Sequence, residues 1–149
     1  MRVGEICTRS VSWCETGASV IDAARMMRDA HINNVIVAEQ WDGERIPVGV
    51  LTDRDIVIQI VAKEVDPKAV SVGDIMGREI FTVDEDEPVS ETIENMRFNG
   101  VRRLPVIDKR GAMVGVIALE DLLRNLAKDL AAIADVTSRA RVKEARMYD

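Results

Sequence analysis

Chemically versatile side chains are scarce in this chain of 149 residues, which has two cysteines, Cys7 and Cys14, and one histidine, His31. These three are too few to furnish the four Cys or His ligands of a structural zinc site within one chain, so the thiols read as structural. A Ser-His-Asp arrangement would need His31 as its base, and no G-x-S-x-G element accompanies it. No P-loop or metal-ligand cluster stands in the sequence either. An enzyme is therefore not expected. No apolar run approaches the ~18–20 residues that cross a bilayer, and Met1 to Trp13 carries no apolar stretch ahead of a cleavage site, so a cytoplasmic chain with no membrane partner is expected. Positive charge is also in deficit. Twenty Lys and Arg face 26 Asp and Glu, a net charge of -6 that repels polyanions and makes nucleic acid an unlikely partner. Any phosphate must be held by local contacts.

What is present is an ordinary globular composition, 47% hydrophobic and 31% charged. A chain this long removes about 68–70% of its unfolded surface from water, enough for a core without staples. It also repeats itself. Val3-Gly4-Glu5-Ile6 returns as Val72-Gly73-Asp74-Ile75, an offset of 69, and Val20, Met27, Arg28 and Val37 return as Val89, Met96, Arg97 and Val106. The offset then drops to 66, where Val48-Gly49-Val50-Leu51 matches Val114-Gly115-Val116-Ile117, so the first copy holds three extra residues in its hairpin, Glu39 to Pro47. The division is residues 1–65, residues 66–128 and a helical extension over residues 129–149.

Both copies change period in the same order. A β-branched stretch near Ser10–Ser12, or Ile80–Val83, precedes a helix with apolar positions Val20, Ala23, Met27 and Ala30, or Val89, Ile93 and Met96. Ser19 with Asp22, and Pro88, mark the helix starts. Gly100, matched by His31, marks the ends, which makes the histidine a helix terminus. Strands Asn34–Ala38 with Pro47–Leu51, and Arg103–Ile107 with Ala112–Ile117, follow, and each copy closes with a helix beginning near Asp53 or Leu119. The fold class is α+β, two βαββα units. A three-stranded sheet with helices on one face leaves the other face apolar, and the natural cover is the other copy's sheet, related by a pseudo-two-fold. The charged connector Ala62–Ser71 is too short to let the halves drift apart.

Gly49-Val50-Leu51-Thr52-Asp53-Arg54-Asp55 carries G-h-h-T-x-x-D, where h is apolar, and Leu104-Pro105-Val106-Ile107-Asp108 carries an apolar residue followed by Pro-Val-h-Asp. In a doubled βαββα frame these motifs resemble the cystathionine-β-synthase (CBS) domain, over about Val3 to Ala127, and a tandem pair of such domains is a Bateman module. The resemblance implies a sensor that binds adenosine-containing ligands (AMP, ADP, ATP, NAD or S-adenosylmethionine) between its sheets and relays occupancy to a client protein. No obligatory cofactor is implied, an adenine nucleotide serving as regulatory ligand. The residues admit that reading. A carboxylate one turn into a helix, Asp55 or Asp121, can accept two hydrogen bonds from a ribose diol. The helix amides ahead of it and the Thr52 hydroxyl favour an anion nearby. Thr52-x-x-Asp55 is equally a capping box that needs no ligand. The second copy keeps the carboxylate but has Ala118 in place of the hydroxyl.

Arg102 and Arg103 stand where the family often places phosphate contacts, and their counterparts are Asn33 and Asn34. Because such clefts draw their walls from both copies, the resemblance implies two unlike sites. One uses Asp121, Arg102, Arg103 and Asn33 with Thr8 to Val11. The other uses Thr52, Asp55 and Asn34 with Arg78 to Ile80. Past Asp121 the apolar positions Leu122, Leu123, Leu126, Leu130, Ile133 and Val136 continue at helical spacing and need cover, and the family's habit of pairing through helices makes a homodimer the expectation. The basic segment from Ser138 onward reads as a solvated helix end. The rival to the sensor is an interaction or dimerisation module with vestigial clefts.

Overall fold

The computed structural model describes residues 1–148. In the first repeat, β1 (Trp13–Cys14) pairs parallel with β2 (Asn34–Trp41), which pairs antiparallel with β3 (Glu44–Thr52). Between β1 and β2 runs α2 (Val20–Ala30), preceded near the amino terminus by the single turn α1 (Val3–Ile6). The Ser19 hydroxyl caps α2 by accepting from the amides of Ile21 and Asp22 at 3.1 and 3.4 Å. His31 ends it in the left-handed region, φ 54 and ψ 42. The second repeat follows the same order: α4 (Val72–Ile75), β4 (Val83–Asp84), α5 (Val89–Asn99), β5 (Arg103–Ile107) and β6 (Met113–Ala118). Gly100 ends α5 at φ 66.

Two differences from the sequence reading have local causes. The first strand of each sheet is later and shorter than Ser10–Ser12 or Ile80–Val83, because only Trp13 and Cys14, or Val83 and Asp84, reach the ladder of the central strand. The first hairpin is longer than Asn34–Ala38 with Pro47–Leu51. Its extra residues continue the ladder to Trp41 opposite Glu44 and turn at Asp42-Gly43, both at positive φ, the geometry whose twist matches paired strands. The register slips at equivalent places in the two hairpins, setting Val48 and Val114 out of the ladder.

The two sheets turn their apolar faces to each other, as the pattern demands. Ile36, Ala38 and Val50 meet Met113 and Val116, with Val11 and Trp13 at the margin. The alternate residues Val35, Val37 and Leu51 face α2 in one core, and Leu104, Val106 and Ile117 face α5 and Leu122 in the other.

The short helices α1 and α4 are exchanged between these bodies. Val3, fully buried, belongs to the core of the second repeat, and Val72 and Met76 belong to the core of the first. Backbone bonds fix each exchange: Val3 and Gly4 donate to the carbonyls of Glu87 and Glu85 at 3.0 and 2.9 Å, as Val72 and Gly73 donate to Ala18 and Thr16 at 2.9 and 2.8 Å. The chain then crosses the partner sheet, where Thr8 and Val116 exchange amide bonds at 2.9 Å, and Gly77 and Val50 do so at 2.9 and 3.1 Å. The packed bodies thus cross the boundary between residues 65 and 66. A Cβ on Gly49 would stand 2.6 Å from the Gly77 carbonyl, and one on Gly115 2.8 Å from that of Thr8, so the motif glycines are where another backbone passes.

The closing helices differ. In the first repeat α3 (Asp53–Ile56) loosens into a π-helical stretch, Val57–Val61, before the connector. In the second, α6 runs unbroken from Leu119 to Tyr148, 30 residues or about 45 Å, with no break at residue 129. Leu122 is its only buried residue, and Ser138 to Tyr148 is exposed helix. Asp149 lies outside the described residues. Among the described residues no helix is long and apolar enough to cross a membrane.

Candidate functional site

A cavity of about 1210 Å³ straddles the pseudo-two-fold between the repeats. Its walls come in equivalent pairs. Asn33 and Asn34 at the start of β2 face the same space as Arg102 and Arg103 at the start of β5, Ile36 answers Pro105, and Thr52 answers Ala118. Ile80 lines it from the segment ahead of β4. Each pair is placed by the same device: the Asn33 carbonyl accepts from the amide of Asp53 at 2.9 Å, and the Arg102 carbonyl from that of Leu119 at 2.9 Å, which ties the head of the central strand to the head of the closing helix. Pro105 stands ahead of the two residues of β5 that β4 pairs with, so its missing amide leaves that ladder intact.

The basic side is the second repeat. Arg102 reaches Glu120 at only 3.7 Å, with both side chains largely exposed, a weak restraint. The Nε of Arg103 is enclosed and has no hydrogen-bond partner among the described residues, an unmet donor of the kind that an anion satisfies. Across the axis the Asn34 amide donates to Asn33 Oδ1 at 3.0 Å. The two strand heads therefore give the cavity a pair of arginines on one side and a pair of side-chain amides on the other. Glu79 of the expected Arg78 to Ile80 stretch lines it too, and so do Arg28, His31, Phe81, Asn99 and Glu120, to which no site motif points. The repeat offset itself carries part of that signal, since His31 and Gly100 are equivalent positions.

The structure does not keep the two expected sites apart. Arg102, Arg103 and Asn33 of one share a single cavity with Thr52, Asn34 and Ile80 of the other, because the cavity lies on the axis and both strand heads open into it. The remaining members stand elsewhere. Asp55 does not line this cavity. Its Oδ2 accepts from the Thr52 amide at 2.9 Å while its own amide donates to Thr52 Oγ1 at 3.0 Å, a complete capping box. Nor are the first amides of α3 turned to a ligand, since those of Asp53, Arg54 and Asp55 all have partners within the chain. Asp121 keeps half of that box, accepting from the Ala118 amide at 2.9 Å, and pairs with Arg124 at 3.2 Å with its side chain 12% exposed.

Asp121 sits beside the exchanged segment. Burial pushes the Cys7 thiol up against the pull of Arg9, and the carboxylates of Glu85 and Asp121 add to the rise. Thr8 is held there by its backbone to Val116, and Val11 packs between the sheets. Arg78 folds back to donate to the Gly73 carbonyl at 3.3 Å, as Arg9 does to Gly4 at 3.1 Å, so neither guanidinium reaches the cavity.

Known proteins agree with this architecture. The model of the CBS domain matches twice, over residues 3–62 and 72–128. An uncharacterised protein of Methanopyrus kandleri is 34% identical over 122 residues, 82% of this chain and 61% of its own length. Hypoxic response protein 1 of Mycobacterium tuberculosis is 35% identical over 104 residues, 70% of each chain. The crystal structure of a hypoxic response protein I with two coordinated zinc ions superposes with a TM-score of 0.73 at 29% identity, covering 83% of this chain and 98% of that one. Among the described residues of the present chain no group of three His, Cys, Asp or Glu is placed to hold a metal. A CBS domain pair in complex with 5′-methylthioadenosine and S-adenosyl-L-methionine superposes with a TM-score of 0.70 at 25% identity, covering 85% of this chain and 99% of that one. Two matched repeats, two sheets face to face and a cavity on the axis between them lead to one conclusion: the chain belongs to the CBS-domain family, as a tandem pair.

Proposed function

We propose that this protein is a regulatory sensor that binds an adenosine-containing small molecule between its repeats and relays occupancy to a client protein, with no chemistry of its own and no obligatory cofactor. The observation that carries this is a cavity between the repeats that presents Arg102, Arg103, Asn33, Asn34 and Thr52, with the Arg103 Nε left without a partner inside the chain. A phosphate or carboxylate on the ligand pairs with the guanidinium groups of Arg102 and Arg103, and the ligated state of the related pair supplies the adenosine moiety as the chemical class. Because the walls come from both repeats, a ligand there has different affinity for different settings of the two sheets, which is what coupling to a client requires. The assembly is a homodimer in the cytoplasm.

Calorimetry on nucleotide-free protein against AMP, ATP, NAD and S-adenosylmethionine tests this. Saturable binding weakened at least tenfold by Arg103→Ala supports it, and uniform silence refutes it. One observation favours the second reading, an interaction module with vestigial clefts: the carboxylates of Asp55 and Asp121 already have partners inside the chain. That reading predicts the silent titration.

A further inference from the structure

From Leu126 to Tyr148 every residue of α6 is exposed, yet the helix is patterned. Leu123, Leu130 and Thr137 recur every seven residues, and so do Leu126, Ile133, Ala140 and Met147. The large members of this stripe are 54–68% exposed. That is three and a half heptads of a coiled-coil seam with no second strand. The charge on the helix is also divided. Residues 119–135 carry a net −2 and residues 136–148 a net +3. Among the described residues Asp129 and Lys143 have no ion-pair partner in their own chain, whereas Asp135 is paired with Arg139 at 2.7 Å.

We propose that α6 pairs with the α6 of a second copy in antiparallel orientation, about an axis near Asp135. This deepens the homodimer reading and rests on it, but not on ligand binding. In that register Leu123 packs against Met147 of the partner subunit, Leu130 against Ala140 of the partner subunit and Ile133 against Thr137 of the partner subunit. Asp129 meets Lys143 of the partner subunit on the flank, twice by symmetry. The layers that set a charge against an apolar side chain, Leu126 with Glu144 of the partner subunit, twice by symmetry, lie toward the ends, where the carboxylate reaches water. The acidic half of each helix lies along the basic half of the other, and the helix dipoles oppose. Parallel pairing would lay Glu144 on Glu144 of the partner subunit and join like halves throughout.

The test uses the full chain. Sedimentation equilibrium is expected to give twice 16.5 kDa for the parent and 16.5 kDa for Leu130→Asp/Ile133→Asp, with the circular dichroism unchanged because both side chains are solvent-facing in the single chain. Asp129→Lys is expected to weaken the dimer, and adding Lys143→Asp to restore it. Orientation is read from nitroxide labels at Ser138→Cys or Arg146→Cys in a Cys7→Ser background, Cys14 being buried. Antiparallel pairing separates the two 146 labels by ~33 Å along the axis and the two 138 labels by ~9 Å. Equal separations at both positions overturn the orientation. A dimer that survives Leu130→Asp/Ile133→Asp overturns the α6 pairing and leaves the homodimer standing, and a monomeric parent overturns both.

Discussion

Replacing Gly49 by alanine tests the exchange of segments at its tightest point. The new methyl would lie 2.6 Å from the Gly77 carbonyl oxygen and 2.9 Å from Met76 Sδ. The sulfur can move at little cost, but the carbonyl is held by the two bonds between Val50 and Gly77, at 2.9 and 3.1 Å. Relief therefore requires the crossing strand to retreat. Losing those two bonds costs about 1 kcal/mol each, and overpacking adds about 1–3 kcal/mol. Removing a glycine from a strand returns about 0.5–1 kcal/mol. The net is a loss of about 2–4 kcal/mol, which for a domain of this size lowers Tm by roughly 5–15 °C. Urea unfolding followed by circular dichroism measures it, with the slope of the transition unchanged. Gly115→Ala should behave alike, its methyl meeting the Thr8 carbonyl at 2.8 Å. Gly17 is the control: nothing lies within 4 Å of its Cβ position, so Gly17→Ala is neutral or stabilising by up to ~1 kcal/mol. If Gly49→Ala melts within 2 °C of the parent, the crossing is not the close contact described.

Three further outcomes follow from other places in the molecule. Val3→Ala should cost about 2–3 kcal/mol despite lying at the third residue of the chain, because its side chain is fully enclosed in the second repeat; differential scanning calorimetry reads this as a single lowered transition, and an unshifted Tm would show α1 to be undocked. Arg103→Met should leave stability unchanged or raise it by ~1 kcal/mol, since it removes an enclosed donor without a partner, while abolishing the proposed adenylate binding in a calorimetric titration; a large loss of stability would mean that the guanidinium is structural. Burial pushes the Cys14 thiol up to about 11, so its stabilising contribution is whole below pH 9 and is lost as pH rises from 9 to 11; denaturation at pH 8 and 10.5 should show a fall that Cys14→Ala reduces, and equal falls in both proteins would contradict it.

The βαββα order was legible because each element carries its own period and because two copies vote on every boundary. His31 shows how far that goes. Its alignment with Gly100 located a left-handed residue at a helix end that carries no glycine. The exchange of α1 and α4 was not legible, since a four-residue turn carries no periodicity that says which body it docks on. Only the glycines hinted at it, and their meaning emerges when Gly77 and Thr8 are seen passing over them. For the site, Arg102, Arg103, Asn33 and Asn34 were readable as equivalent positions at the strand heads. Asp55 and Asp121 were ambiguous for a physical reason: capping a helix and gripping a diol ask for the same side chain at the same spacing, and what separates the two is where the carboxylate's lone pairs point, which no spacing encodes.

The first turn of α6 borders the cavity through Glu120, beside Ala118 at the end of β6, whereas its far end projects roughly 45 Å away. Such a rod amplifies. A tilt of about 5° at Leu119 would swing Tyr148 through roughly 4 Å. A displacement of under an ångström beside Arg103 would thus reach the tip as a shift wider than a methyl group.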